Sequence, residues 1–318
     1  MLTQRKEKIK MSEKSIPLNS NIIIAEKSQE VNTELEKIEM KKKTAQRIQE
    51  ELKKLYVERK EYNKASNIEN CGTFLMFRNY HNEQSTKELK KANFCKHSLC
   101  PMCAWRLHLK NTKIMSYALE HAKGKLYHLV LAIPNTPHLQ KDELSRMRTR
   151  AIDFIKKELG TNSYIINLEI TKNKDSFHPH FHCVIEVPKF IKVSREYVMY
   201  KSLKWREYYT EKPAEIGDKG YTFYITGITD KQSASSELTK YIFKDSNSNY
   251  NSIDVENIAD ATYNLRKISA GGNLRELYAD GKQNVKAQRD IQQFELIDVD
   301  YTDSFFAFLD GEYKQLKF

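Results

Sequence analysis

The sequence predicts an α+β protein built on an antiparallel sheet with flanking helices, on three observations. Segments of strand and helix pattern follow one another as strand, helix, strand, strand, helix, strand, helix between Lys125 and Lys244, and two consecutive strands are separated only by a polar turn, which suits a direct hairpin. The chain's 318 residues are 40% apolar, enough for a core, whereas 10 Gly and 7 Pro are too few turn formers for a many-stranded β protein.

In chain order, the first 25 or so residues are polar without a clear period and read as a loose arm. Ala25 to Ala65 is rich in Glu, Lys, Gln and Leu, with sparse apolar positions at Leu35, Ile38, Ile48, Leu52 and Leu55, and predicts one long or two shorter solvated helices. Cys71 opens a short strand, and a polar turn from Asn79 to Lys87 leads into a cysteine cluster. Ala104 to about His121 has helical spacing, with Trp105, Leu109, Ile114 and Leu119 toward a core. The strand from Lys125 ends at Pro134, and the helix from Lys141 to Leu159 ends at Gly160. Strands Ser163–Thr171 and His180–Val187 flank the turn Lys172 to Ser176. A helix from Ser194 to Tyr209, a strand from Tyr221, a short helix from Ser233 to Lys244, a linker near 246–252 and an amphipathic helix from Ile253 to Lys267 follow. An acidic tail beyond Ile291 completes the chain. These shifts divide it at 1–66 (arm and charged helical region), 67–124 (cysteine segment), 125–250 (core) and 251–318 (C-terminal helix and tail).

Fifty-three Lys and Arg against 42 Asp and Glu leave a net charge of +11, which points to a polyanionic partner. The tail is net −4, so residues 1–290 carry +15. No apolar run is long enough for a membrane span or secretory signal, and the odd count of 5 cysteines, three of them bunched, suits a metal site in a reducing compartment. A cytosolic protein without membrane contact is expected.

His178-Pro-His-Phe-His carries the most information, with three of the chain's nine histidines inside five residues. On a strand His180 and His182 share a face while Phe181, Cys183 and Ile185 share the other, which makes half of a metal site backed by core. Glu169 has the parity to lie beside them and complete two nitrogens and one oxygen, leaving ion positions open to a substrate oxygen. His178 is a possible addition after Pro179. Cys95, Cys100 and Cys103 resemble half of a zinc knuckle, with Cys71 the first choice of fourth ligand and His97 the second. Arg106 and Lys110 follow directly and could touch phosphates. Glu237 and Tyr241 lie one turn apart on the short helix, flanked by Lys240 and Lys244; alone, that pair is ordinary helix packing.

Together these pieces resemble the HUH endonucleases, and more narrowly the replication initiators of small rolling-circle plasmids. The motifs run in family order over about Cys71 to Gly272: Cys71-Gly, Asn93-Phe-Cys-Lys-His-Ser-Leu-Cys-Pro-Met-Cys-Ala-Trp-Arg, Leu168-Glu-Ile-Thr, His178-Pro-His-Phe-His, Glu237-Leu-Thr-Lys-Tyr with Lys244, and Gly271-Gly272. The resemblance implies site-specific nicking of double-stranded origin DNA and handling of the freed single strand, with Mg²⁺ or Mn²⁺ on His180, His182 and Glu169. It further implies Tyr241 as nucleophile giving a 5′-phosphotyrosyl link, Lys244 stabilising charge, Lys240 near the DNA, and Glu237 activating water to end the cycle. A structural Zn²⁺ on the cysteines, and a host helicase and DNA polymerase as partners, belong to the same expectation.

Two rivals are weaker. A cupin-type oxygenase fits only His180-x-His182-x3-Glu186, and lacks the second histidine motif and the Gly-rich turns. A non-enzymatic zinc-containing DNA-binding protein fits the charge, but has no use for Tyr241. Tyr208 and Tyr209 are other candidate nucleophiles, without a Glu one turn before them.

Overall fold

The computed structural model of the chain describes residues 23–24, 30–173, 175–213, 220–239 and 250–317. The first half runs β1 (Ile23–Ile24), α1 (Glu30–Glu58), α2 (Tyr62–Glu69), β2 (Phe74–Tyr80), β3 (Lys87–Ala92), α3 (Pro101–His121), β4 (Lys125–Ala132), α4 (Lys141–Glu158), β5 (Tyr164–Asn173) and β6 (Ser176–Val187). The second half runs α5 (Arg195–Thr210), β7 (Thr222–Gly227), α6 (Lys231–Leu238), α7 (Ser252–Thr262), β8 (Ile268–Gly271), α8 (Gly272–Glu295), β9 (Tyr301–Leu309) and β10 (Glu312–Leu316). The α+β class and the element order from β4 to α6 agree with the sequence reading. The charged N-terminal region forms two helices, α1 and α2.

The central sheet has the order β7-β4-β6-β5-β8 and is antiparallel throughout. Its two faces are sorted by strand parity. Tyr127, Leu129, Leu131, Ile166, Leu168, Phe181, Cys183 and Ile185 are buried in the larger apolar cluster with Leu144, Met147, Phe154 and Trp205 of α4 and α5. On the reverse face Leu126, Ile165 and Val184 pack with Ile114 and Leu119 of α3, Leu238 of α6, and Leu274 and Tyr278 of α8. Helices therefore cover both faces of the sheet. The two-sided burial follows from β5 and β6, whose apolar residues occupy both parities.

A second sheet, β1-β3-β2-β9-β10, was not foreseen. The acidic tail folds back into it: β9 pairs with β2 from Phe74↔Ala307 to Tyr80↔Tyr301, and Arg78 forms a two-point ion pair with Asp303 at 2.9 and 3.1 Å. Asp310 and Gly311 turn β9 into β10 with φ of 54° and 88°, the left-handed pair that a tight hairpin needs. The helix expected to run to Lys267 ends at Thr262, where Tyr263 becomes extended and Asn264 takes a φ of 54°. Ile268 onward is then free to pair as β8 with β5.

Candidate functional site

The β5–β6 hairpin places the histidines. Its register sets Glu169 opposite His180 and Asn167 opposite His182. Paired residues share a face, so Asn167, Glu169, His180 and His182 project together beside the apolar patch under α3, α6 and α8. Phe181 and Cys183, on the other parity, anchor the strand in the core.

Glu169 is 2% exposed, and its Oε2 lies 2.8 Å from His182 Nε2 and 3.5 Å from His180 Nε2. Burial pushes its carboxyl up, but hydrogen bonds and charge from the two imidazoles outweigh this and hold it well below the usual carboxylate range. A cation bound at about 2.1 Å per bond with ligands at right angles places them about 3 Å apart, so the spacing fits a divalent ion. The ring orientations agree. His180 Nδ1 donates to the His178 carbonyl at 3.1 Å, which leaves Nε2, on the Glu169 side, as the nitrogen that would face an ion. His182 Nδ1 stands 3.1 Å from His128 Nε2, with the rings parallel at a 5.3 Å centroid separation. If His182 donates across that contact, its Nε2 is likewise the ligand atom.

His128 was not anticipated. Its strand, β4, reads as apolar, and only the β4–β6 register, His128↔Val184 and Val130↔His182, brings it to the cluster. A lone histidine inside an apolar strand is the signal that could have raised it. His178 does not join the ligands: its Nδ1 bonds Asn135 Oδ1 at 2.8 Å, and it contributes through its carbonyl. Glu186, the cupin-like position, accepts from Lys123 N, Gly124 N, Ser163 Oγ and Asn273 Nδ2 at 2.8 to 3.1 Å, and so ties three chain segments to the end of β6.

Tyr241, Lys240 and Lys244 lie outside the described residues. Glu237 is half-buried on α6, a helix that Asp230 caps and that packs against α3 and β6. The end of α6 is fastened to α3, with Thr239 O accepting from His108 Nδ1 at 2.8 Å and the hydroxyls of Thr239 and Thr112 bonded at 2.6 Å. Thr239 and Asn167 line one cavity of about 260 Å³. Tyr208 and Tyr209 sit on α5, behind the sheet, where Tyr209 donates to Glu143 and burial pushes its phenol up to about 12.

All four predicted cysteines meet. Cys71 Sγ is 3.6 Å from Cys100 and from Cys103, and Cys95 is 3.6 Å from Cys103. A tetrahedral ion with Zn–S bonds of about 2.3 Å sets its sulfurs about 3.8 Å apart, so the donor set fits a structural zinc. N–H groups of Cys95, Lys96 and the Gln49 side chain point at Cys71, Cys103 and Cys100. Hydrogen bonds from Cys103, Cys71, Cys95 and Gln49 hold Cys100 below the usual thiol range. His97 is not the fourth ligand: Nδ1 accepts from Leu99 N and Nε2 bonds the Tyr56 hydroxyl at 2.8 Å, with burial pushing the ring down to about 4. Arg106 lies against the cluster with its guanidinium 3.9 Å from the Phe94 ring centre, and Lys110 is exposed one turn further along α3. Among the described residues, these two are the only groups of three or more His, Cys, Asp or Glu arranged to hold an ion, and no helix is long and apolar enough to cross a membrane.

The family model for replication proteins matches residues 86–305. A Protein rep of Staphylococcus aureus is 35% identical over 140 residues, covering 41% of this chain and 61% of that protein. A Protein rep of Lactiplantibacillus plantarum is 27% identical over 271 residues, covering 76% and 82%. A third, from a Bacillus species, is 34% identical over 139 residues, covering 40% and 44%. No solved structure matches the chain.

Proposed function

Since this chain belongs to the replication protein family, we propose that it initiates rolling-circle replication of a plasmid by nicking one strand at the double-stranded origin. The observation that carries this reading is the convergence of Glu169, His180 and His182 on one face of the β5–β6 hairpin, with two open-sided nitrogens and one oxygen within 4.8 Å of one another. That donor set suits Mg²⁺ or Mn²⁺, which when bound would polarise the scissile phosphate as a Lewis acid.

The chain's own residues take the remaining roles. Tyr241 is the nucleophile: its hydroxyl oxygen attacks phosphorus, its proton passes to solvent or a nearby base, and the bond to the 3′ oxygen breaks as that oxygen takes up a proton from solvent. The products are a 5′-phosphotyrosyl link and a free 3′-OH that primes synthesis. Lys244 stabilises charge on the phosphoryl oxygens. Glu237, four residues before Tyr241 in the sequence, accepts a proton from water when the regenerated origin is cut, so that hydrolysis ends the cycle without a second covalent link. The cysteine cluster holds Zn²⁺ and fastens α1 and α3 to β2, away from the chemistry. Arg106, Lys110 and Lys240 contact DNA phosphates, and a host helicase and DNA polymerase extend the primer in the bacterial cytoplasm.

The test is relaxation of supercoiled plasmid carrying the cognate origin, with Mn²⁺. Wild-type protein is expected to yield nicked circles, His182→Ala and Glu169→Ala to lose at least about 100-fold in rate, and chelation of Mn²⁺ to stop the reaction. Tight origin binding with no nicking by wild-type protein would leave a non-enzymatic zinc-containing DNA-binding protein.

A further inference from the structure

We propose that the groove between α3 and α8 is the track for the displaced single strand, running from Asn167 beside His182 outward over Lys267, Lys282 and Lys286. This rests on the nicking reading and names the path of its substrate.

Three concavities adjoin along α3. The first, of about 260 Å³, is lined by Asn167, Thr239, His108, Asn111, Lys267 and Lys282, among others. Asn111, Leu107 and Lys282 are shared with a second, of about 530 Å³, where Lys286, Arg289, Arg106 and Lys110 join them. Arg106, Leu107 and Lys110 carry on into a third, of about 470 Å³, reaching Phe94, Lys96 and His97. None of the three has an Asp or Glu in its lining, although the chain has 42 acidic residues. A stretch this basic without interspersed acids repels itself and needs a polyanion to neutralise it.

The helices are set to hold it. Lys282, Lys286 and Arg289 lie at i, i+4 and i+7 on α8, all exposed, and Arg106 and Lys110 at i, i+4 on α3. Gly281 lets the helices approach, since a Cβ there would stand 2.7 Å from the Ile114 carbonyl oxygen. Lys267 sits at the inner end. Burial pushes its ammonium down to about 8 with no carboxylate opposing the shift, the environment a phosphate would relieve. A concave cleft between two helices admits one strand, whereas a duplex is read by elements that project into its grooves.

The test measures binding of a fluorescein-labelled single-stranded oligonucleotide by anisotropy across a salt series, using the full chain. K267Q/K282Q/K286Q is expected to weaken binding at least about tenfold and to make the slope of log K against log salt shallower by about 2, since each single-strand phosphate contact contributes about 0.7. The control K156Q/K157Q/K192Q has the same net charge, with its changes on exposed positions outside the groove, and is expected to stay within about twofold of wild type. K286Q/R289Q, altering exposed side chains only, guards against misfolding and is expected to lose affinity in the same direction. Equal losses in the groove and control triples, or a loss confined to duplex, would overturn the track. If that happens while wild-type protein still nicks origin plasmid, the track fails and the nicking reading stands. A groove-specific loss in a protein that never nicks keeps the track as a binding surface and removes the enzyme reading.

Discussion

Each imidazole facing Glu169 is oriented by a contact at its Nδ1, and for His182 the partner is the His128 ring. His128→Ala is therefore expected to weaken Mn²⁺ binding by about 10- to 100-fold, read by the EPR signal of free Mn²⁺ in a titration of the zinc-loaded protein. His128→Gln, whose carbonyl can still accept from His182 Nδ1, is expected to recover part of the loss. Glu186 makes a structural prediction instead. Burial raises its carboxyl, but the four donors around it leave it below the ordinary 4.5. Such a carboxylate stabilises the fold fully above its unfolded pKa, and the contribution is lost as pH falls through the lower folded value. Glu186→Ala is expected to cost about 3 kcal/mol near neutral pH, with the gap to wild type closing below about pH 4.5; urea unfolding at several pH values measures it. A gap that held constant into acid would contradict the charged role.

At the level of elements, the α3–α8 crossing depends on one glycine. Ala is the better helix former by about 1 kcal/mol, yet Gly281→Ala drives a methyl into the Ile114 carbonyl. Overpacking of this kind costs about 1–3 kcal/mol, so a net loss of stability is expected in denaturant unfolding, and a gain would show that the helices separate freely. The same glycine helps explain why α8 was illegible in the sequence. Its buried stripe is only Leu274, Tyr278 and Gly281, and charged or amide side chains make up most of the remainder. β9 was obscured by the tail's acidity, though Asp310-Gly311 between apolar runs was a readable hairpin signal. By contrast the β5–β6 hairpin was legible because its turn is short and polar and its two parities are so unlike. Glu169 could be placed beside the histidines from that alone, whereas His128 needed the β4 register, which no local pattern carries.

Across the whole molecule, the charge asymmetry found in the sequence resolves into a basic groove on one side and an acidic hairpin used structurally, with Asp303 held by Arg78. The cysteine cluster joins α1, through Gln49 and Lys42, to the segments around Cys71 and α3. One equivalent of zinc per chain is expected on titration with a mercurial reagent, released without loss of Mn²⁺ binding at the histidines. Cys100→Ser is expected to lower zinc content and to expose α1 to proteolysis, since closed zinc sites contribute directly to folding. Retention of full zinc by this variant would contradict four-cysteine ligation. Both candidate ion sites were legible as residue clusters because metal ligands are rare, spaced and chemically distinctive. The second sheet was not, because it pairs residues more than 200 positions apart.

Under the proposed mechanism Tyr241 attacks DNA held at the Glu169–His180–His182 site. The direct measurement is peptide mapping by mass spectrometry of protein recovered from a cleavage reaction on a single-stranded oligonucleotide spanning the origin nick. A nucleotide adduct is expected on the peptide containing Tyr241, attached through the 5′ phosphate and absent from Tyr241→Phe. An adduct on another tyrosine, or cleavage that proceeds undiminished in Tyr241→Phe, would contradict it.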